Sequence, residues 1–143
     1  MTVAVSHAVS LQGTMGHLID VQADVSSGQV GTTLVGRPDA SLNEAKERCR
    51  MAILNSGLDW PSAKRVTILL SPSDLPKRGT HFDLAIAAAV VAAAGDTPMP
   101  GLGSFLLSGE LTLTGGLRSV PGVLPMVLAA RARGLRRVIV PEP

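Results

Sequence analysis

Apolar and polar positions alternate along the first third of the chain. Val3, Val5, Val9 and Leu11 recur at odd positions, and residues 13–16, with a glycine at each end, offer a turn. Ile19, Val21, Ala23 and Val25 then fall on one face while Asp20, Gln22 and Asp24 fall on the other, which is the period of a half-solvated strand. Ser26-Ser27-Gly28 turns the chain again. Residues 31–35 make a third short strand, ended by Gly36-Arg37-Pro38-Asp39. The period then changes. Leu42, Ala45, Cys49, Ala52 and Ile53 recur at helical spacing and face inward, with Lys46, Glu47 and Arg50 outside. Ser41 and Glu44 fit a capping box, in which hydroxyl and carboxylate satisfy each other's free backbone donors. Asn55-Ser56-Gly57 closes the helix.

Residues 66–70 read as a buried strand and 71–82 as a loop carrying two prolines and Gly79. Asp83 is placed to cap the next helix, residues 84–94, whose sides are apolar nearly all round, so it belongs in the core. After a loop at 96–103 come strands at 105–107, 111–113 and 117–120, a helix at 123–133 closed by Gly134, and a last strand at 138–140. This order predicts an α/β (α+β) domain, with helices packed on one side of a mixed sheet. A strand so close to the final residue suggests that a partner domain lies beyond it.

Composition narrows the picture. The 143 residues suit one domain, 1–143, able to bury about 70% of the unfolded chain's surface. With 45% hydrophobic and 17% charged residues, the chain is not of the disordered class. Trp60, Phe82 and Phe105 are the only aromatics besides histidine, so no platform for stacking single-stranded bases is evident. Cys49 is the single cysteine, which excludes an internal disulfide; its inward place reads as a buried, inert thiol. The chain start lacks the basic segment of a secretory signal. The longest apolar run, 84–94, would span only about 16 Å of a bilayer about 30 Å thick. The expectation is a cytoplasmic protein with no membrane partner. A net charge of +2 permits nucleic-acid contact without demanding it.

Several blocks together resemble one family. They are Leu34-Val35-Gly36-Arg37-Pro38-Asp39 with the helix residues 44–57, then Leu70-Ser71-Pro72-Ser73-Asp74-Leu75-Pro76-Lys77-Arg78-Gly79-Thr80-His81-Phe82-Asp83 with the helix start 84–87. Leu107-Ser108-Gly109-Glu110-Leu111-Thr112 and the ending Ala129-Ala130-Arg131-Ala132-Arg133-Gly134 with Val138-Ile139-Val140-Pro141 continue the match. In order and spacing these resemble the N-terminal region of the ComM (YifB, magnesium-chelatase-like) family. Arg37 stands where that family leads one to expect a hydrophobic residue. The resemblance implies a Lon-protease-like version of the ribosomal protein S5 domain 2 fold. It also implies a longer parent in which an AAA+ ATPase module follows, using ATP and Mg, assembling as a homo-oligomeric hexamer and acting in DNA branch migration during natural transformation. The fragment would then be a non-catalytic accessory domain with no cofactor of its own, its partners being that module and DNA.

The rival class is a serine–lysine peptidase, because the resembled fold is catalytic in Lon. Lon-type proteases place the nucleophile at the start of the central helix, where this chain has His81, and the lysine on the helix that here runs from Gly122 to Ala130 and has none. Arginine does not substitute, since its guanidinium stays protonated. No Gly-x-x-x-x-Gly-Lys-Ser/Thr phosphate cradle occurs, and His7, His17 and His81 lack partners at metal-ligand spacing. Nucleic acid remains in play. Lys77 and Arg78 lie on a proline-punctuated loop before a helix, suited to phosphate contact. Arg131, Arg133, Arg136 and Arg137 form a second basic cluster, which reads either as a DNA contact or as a solvated helix end with charges favourable to the helix dipole. Docking of a subunit or of the motor on the apolar helix and Trp60-Pro61 is a third role.

Overall fold

The computed structural model describes residues 3–143. Strands β1 (Val3–Gln12) and β2 (Met15–Ser26) form an antiparallel hairpin. β3 (Gly31–Val35) leads to a single helical turn α1 (Ala40–Asn43) and then α2 (Ala45–Asn55). β4 (Arg65–Ser71) returns between β2, to which it is antiparallel, and β3, to which it is parallel, giving the order β1-β2-β4-β3. Helix α3 (Asp83–Ala94) follows, then β5 (Phe105–Leu107), β6 (Glu110–Leu111), β7 (Leu117–Arg118), α4 (Val123–Ala132) and β8 (Arg137–Ile139). β5 pairs in parallel with β8, and β6 antiparallel with β7. The molecule is a mixed α+β domain, as its patterning predicts.

The core is built around α3. Ala8, Ile19, Val21 and Ala23 project from one face of the β1–β2 hairpin into a cluster with Ala85, Ile86, Ala89 and Val90 of α3. The opposite side of α3 meets Leu42, Ala45, Cys49 and Ile53 of the α1–α2 segment. A helix enclosed in this way needs apolar residues on every side, which explains the lack of a polar stripe along 84–94. The face of β1 beneath α3 carries Ser6, Ala8 and Ser10, while Val3 and Val5 are exposed. Small residues let the helix approach, and the Ser6 hydroxyl donates to the Ala85 carbonyl at 2.6 Å.

The expectation that helices occupy one side of the sheet holds for α2 and α3 and is corrected for α4. Directly opposed residues of an antiparallel pair share a face. Val9 and Leu18, paired across the hairpin, therefore project away from α3. They form a second cluster with Leu106, Met126 and Ala130. Gly16 makes the approach of α4 possible: a Cβ built on it would lie 2.5 Å from the Ala129 Cβ.

Two expected caps are also corrected. The residue capping α1 is Asp39, whose carboxylate accepts from the Leu42 N–H at 2.8 Å, and the Ser41 hydroxyl merely donates to Asp39. Glu44 sits at the joint between α1 and α2 and pairs with Arg48 at 3.6 Å. Asp83 lies inside α3 and does not cap it; its carboxylate accepts from Arg48 Nε at 2.7 Å, Arg48 Nη2 at 3.0 Å and the Leu111 N–H at 3.0 Å. Trp60 is core, at 8% exposure. β8 is open: among the described residues its outer edge has no partner strand, and Val138 and Ile139 are 43% and 46% exposed.

Candidate nucleic-acid interface

The loop between β4 and α3 is strapped to the segment after β3. The Lys77 N–H donates to the Arg37 carbonyl at 3.1 Å, and the Asp39 N–H to the Lys77 carbonyl at 2.9 Å, forming a short parallel bridge between Pro38 and Lys77. This crossing turns the side chain of Lys77 inward. It is 1% exposed, and its ammonium donates to the Gly36 carbonyl at 2.8 Å and to the Pro72 carbonyl. Burial lowers its pKa, with Asp74 opposing that shift and Arg37 adding to it. Lys77, expected on sequence grounds to meet phosphate, is thus corrected to an internal strut: its side chain is buried and its ammonium is directed to two backbone carbonyls. Arg78, the next residue, is exposed.

Arg37 is the residue that sequence reasoning did not select. It is exposed, and its Nη1 donates to the Asp74 carbonyl at 2.8 Å. Together with Pro38, Asp39, Pro76, Lys77 and Arg78 it lines an open cleft of about 490 Å³. The one available signal was a cation at a position where the resembled family favours an apolar residue.

The second basic cluster lies where α4 gives way to β8. Arg131 occupies the last turn of α4, Arg133 its C-cap, Arg136 the approach to β8 and Arg137 its first position; all four are exposed. Arg137 lies over the Phe105 ring, 5.5 Å from its centroid. Among the described residues neither these arginines nor Arg78 is in an ion pair, and no hydrogen bond joins the two clusters.

The position before α3 is closed to solvent. His81 is 8% exposed, and its Nε2 lies 2.8 Å from the Val9 carbonyl, to which a neutral ring donates. Burial pulls its pKa below the ordinary 6.5. Ser108 is buried, its hydroxyl donating to the Met126 sulfur at 3.3 Å. Cys49 donates to the Asp83 carbonyl at 3.2 Å, and burial pushes its pKa well up. Among the described residues no serine, threonine or cysteine hydrogen-bonds a lysine or histidine, and no three His, Cys, Asp or Glu side chains gather at metal-binding distance. No helix there is long and apolar enough to cross a membrane.

The depressed pKa of His81 makes a prediction. A histidine that binds its proton less readily when folded contributes stability above its unfolded pKa, and that contribution is lost as pH falls through the lower, folded value. The melting midpoint should therefore drop on acidification below about 6.5. His81→Gln, which retains a donor for Val9, should narrow the gap between midpoints at neutral and acidic pH. An unchanged gap assigns the acid sensitivity elsewhere.

A model of the family described as subunit ChlI of Mg-chelatase matches residues 21–143. A protein of Mycobacterium tuberculosis is 45% identical over 141 residues, covering 99% of this chain and 28% of the relative. YifB of Escherichia coli is 41% identical over 98% of the chain and 27% of the relative. The competence protein ComM of Haemophilus influenzae is 40% identical over 92% of the chain and 26% of the relative. A Lon protease of Magnetococcus marinus is 27% identical over 89% of the chain. The chain thus spans little more than a quarter of the length of the first three of these relatives. On the family match and these identities, the chain belongs to the Mg-chelatase ChlI-like family that includes YifB and ComM.

Proposed function

We propose that this domain is the non-catalytic accessory part of a longer, ATP-driven DNA-processing motor, and that it contacts the DNA backbone through exposed arginines. The observation that carries the reading is the set of exposed arginines at 78, 131, 133, 136 and 137, none held in an ion pair among the described residues. Membership with ComM, whose name refers to competence, supports DNA as the partner. In this reading ATP and Mg act in an AAA+ module downstream, the parent works in the cytoplasm as a hexamer, and its task is branch migration in recombination and natural transformation. Among the described residues no serine, threonine or cysteine is hydrogen-bonded to a lysine or histidine, which supports a positioning role.

Contact through phosphates alone is sequence-independent and salt-sensitive, with affinity in the range of roughly 10⁻⁴ to 10⁻⁶ M. Fluorescence anisotropy with single-stranded and branched DNA tests it. Replacing Arg131, Arg133, Arg136 and Arg137 together by alanine should weaken binding to every sequence and flatten the salt dependence, by up to about one unit of slope per lost contact. Wild-type protein that binds no DNA even at low salt would overturn the reading. Leu124 and Leu128, one helical turn apart on α4 and 67% and 45% exposed, favour a second one: a docking platform for the motor.

A further inference from the structure

We infer that Arg37 and Arg78 flank a phosphate-binding cleft that takes the sugar–phosphate backbone of a nucleic acid. This rests on the DNA reading above and gives it a second, distinct place on the domain. The two arginines come from separate segments, one following β3 and the other preceding α3, and they line one cleft because the Pro38–Lys77 bridge joins those segments. The cleft between them, about 490 Å³, is open to solvent along its length.

Its walls are fixed before any ligand arrives. Pro38 and Pro76 restrict the backbone on either side. The hydrogen bonds between Lys77 and both Arg37 and Asp39 lock the segments together. Lys77 sits behind the cleft with its ammonium bound to the carbonyls of Gly36 and Pro72, so it braces the wall and leaves the rim to the two arginines. Arg37 holds a left-handed backbone, φ 58°, a conformation that residues other than glycine rarely adopt. Core packing does not demand it, because the side chain is exposed. One of its N–H groups holds the Asp74 carbonyl at 2.8 Å, which orients the guanidinium while its other donors stay available. The nearby Asp39 carboxylate accepts from the Leu42 N–H at 2.8 Å and the Ser41 hydroxyl at 2.9 Å, which ties it to the start of α1. No aromatic residue lines the cleft, so a base has nothing to stack on and the phosphate is the group recognised.

The test measures single-stranded oligonucleotide binding by anisotropy from low to physiological salt. Proteins compared are wild type, Arg37→Ala, Arg37→Gly, Arg78→Ala, the double variant Arg37→Ala with Arg78→Ala, and Arg131→Ala with Arg133→Ala. Each cleft substitution should lower affinity about threefold to tenfold at low salt and reduce the salt slope by about one. Arg37→Gly suits the left-handed backbone and should lose as much affinity as Arg37→Ala. If only the alanine variant loses binding, a disturbed fold accounts for the loss and the cleft is overturned. If the cleft variants bind like wild type while Arg131→Ala with Arg133→Ala is impaired, the cleft is overturned and the broader DNA reading stands. If wild type binds no DNA, both fall. Amide spectra give the second arm. The oligonucleotide should shift residues 37–39 and 76–79; shifts with inorganic pyrophosphate but not with the oligonucleotide would mean a free-anion site and overturn the nucleic-acid assignment.

Discussion

Ile86→Asp should leave little or no folded domain at 25 °C. Ile86 is fully buried on α3, enclosed by the sheet on one side and the α1–α2 segment on the other. The substitution gives up the burial of one aliphatic side chain, about 1.5–3 kcal/mol. It also places a carboxylate among apolar groups with no partner, which costs several kcal/mol more or forces the group to take up a proton. The total is about 5 kcal/mol or above, comparable with the whole net stability of a small domain. Circular dichroism melting measures it. A midpoint within a few degrees of wild type would remove α3 from the centre of the core.

The second large effect is expected at Asp83. Its carboxylate is fully buried and joins three elements: α3, which carries it; α2, through the Arg48 guanidinium; and β6, through the Leu111 N–H. Arg48 also donates to the Ser41 carbonyl at 3.0 Å, tying in α1. Burial raises the pKa of Asp83, while the Arg48 hydrogen bonds and the Leu111 N–H pull it down. Desolvation is therefore the main cost of this pair. Asp83→Ala leaves the buried Leu111 N–H unpaired and takes the carboxylate away from the half-buried Arg48 guanidinium, which keeps only the Ser41 carbonyl and the exposed Glu44, a loss of about 3 kcal/mol. Replacing both partners, Arg48→Met with Asp83→Leu, removes the charges together and should recover a large part of it. Urea unfolding of the two variants distinguishes the cases. If the single variant loses less than about 1 kcal/mol, the pair does not hold the helices together.

The residues that could be read from sequence are those whose environment is set by their own neighbours. The alternation from Ile19 to Val25 gives the buried face of β2, and all of Leu42, Ala45, Cys49, Ala52 and Ile53 reach the core as their helical spacing predicts. The uninterrupted apolar character of 84–94 marks the central helix before its partners are known. Charged residues were harder. Lys77 looks like a loop cation and Asp83 like a helix cap, yet both are buried. Gly36, one of the two partners of Lys77, and Arg48, the partner of Asp83, lie far back in the chain, and no local window joins them. Arg37 was missed for the same reason: its role in a cleft depends on a backbone bridge to Lys77. On β1 the eye goes to the valines, while α3 in fact rests on Ser6 and Ala8, because a close helix needs small residues beneath it.

The open edge of β8 has a consequence for colloidal behaviour. A strand with free N–H and C=O groups and half-exposed Val138 and Ile139 is a template on which another copy can add. Arg136 and Arg137 put like charge at that edge, which opposes such addition. Mutual repulsion of this kind weakens as the Debye length shrinks, from about 30 Å at 0.01 M salt to about 3 Å at 1 M. Raising salt, the treatment that releases a phosphate ligand, therefore also removes the barrier between domains. Solutions concentrated for spectroscopy should scatter least at low ionic strength, the reverse of the usual advice for basic proteins.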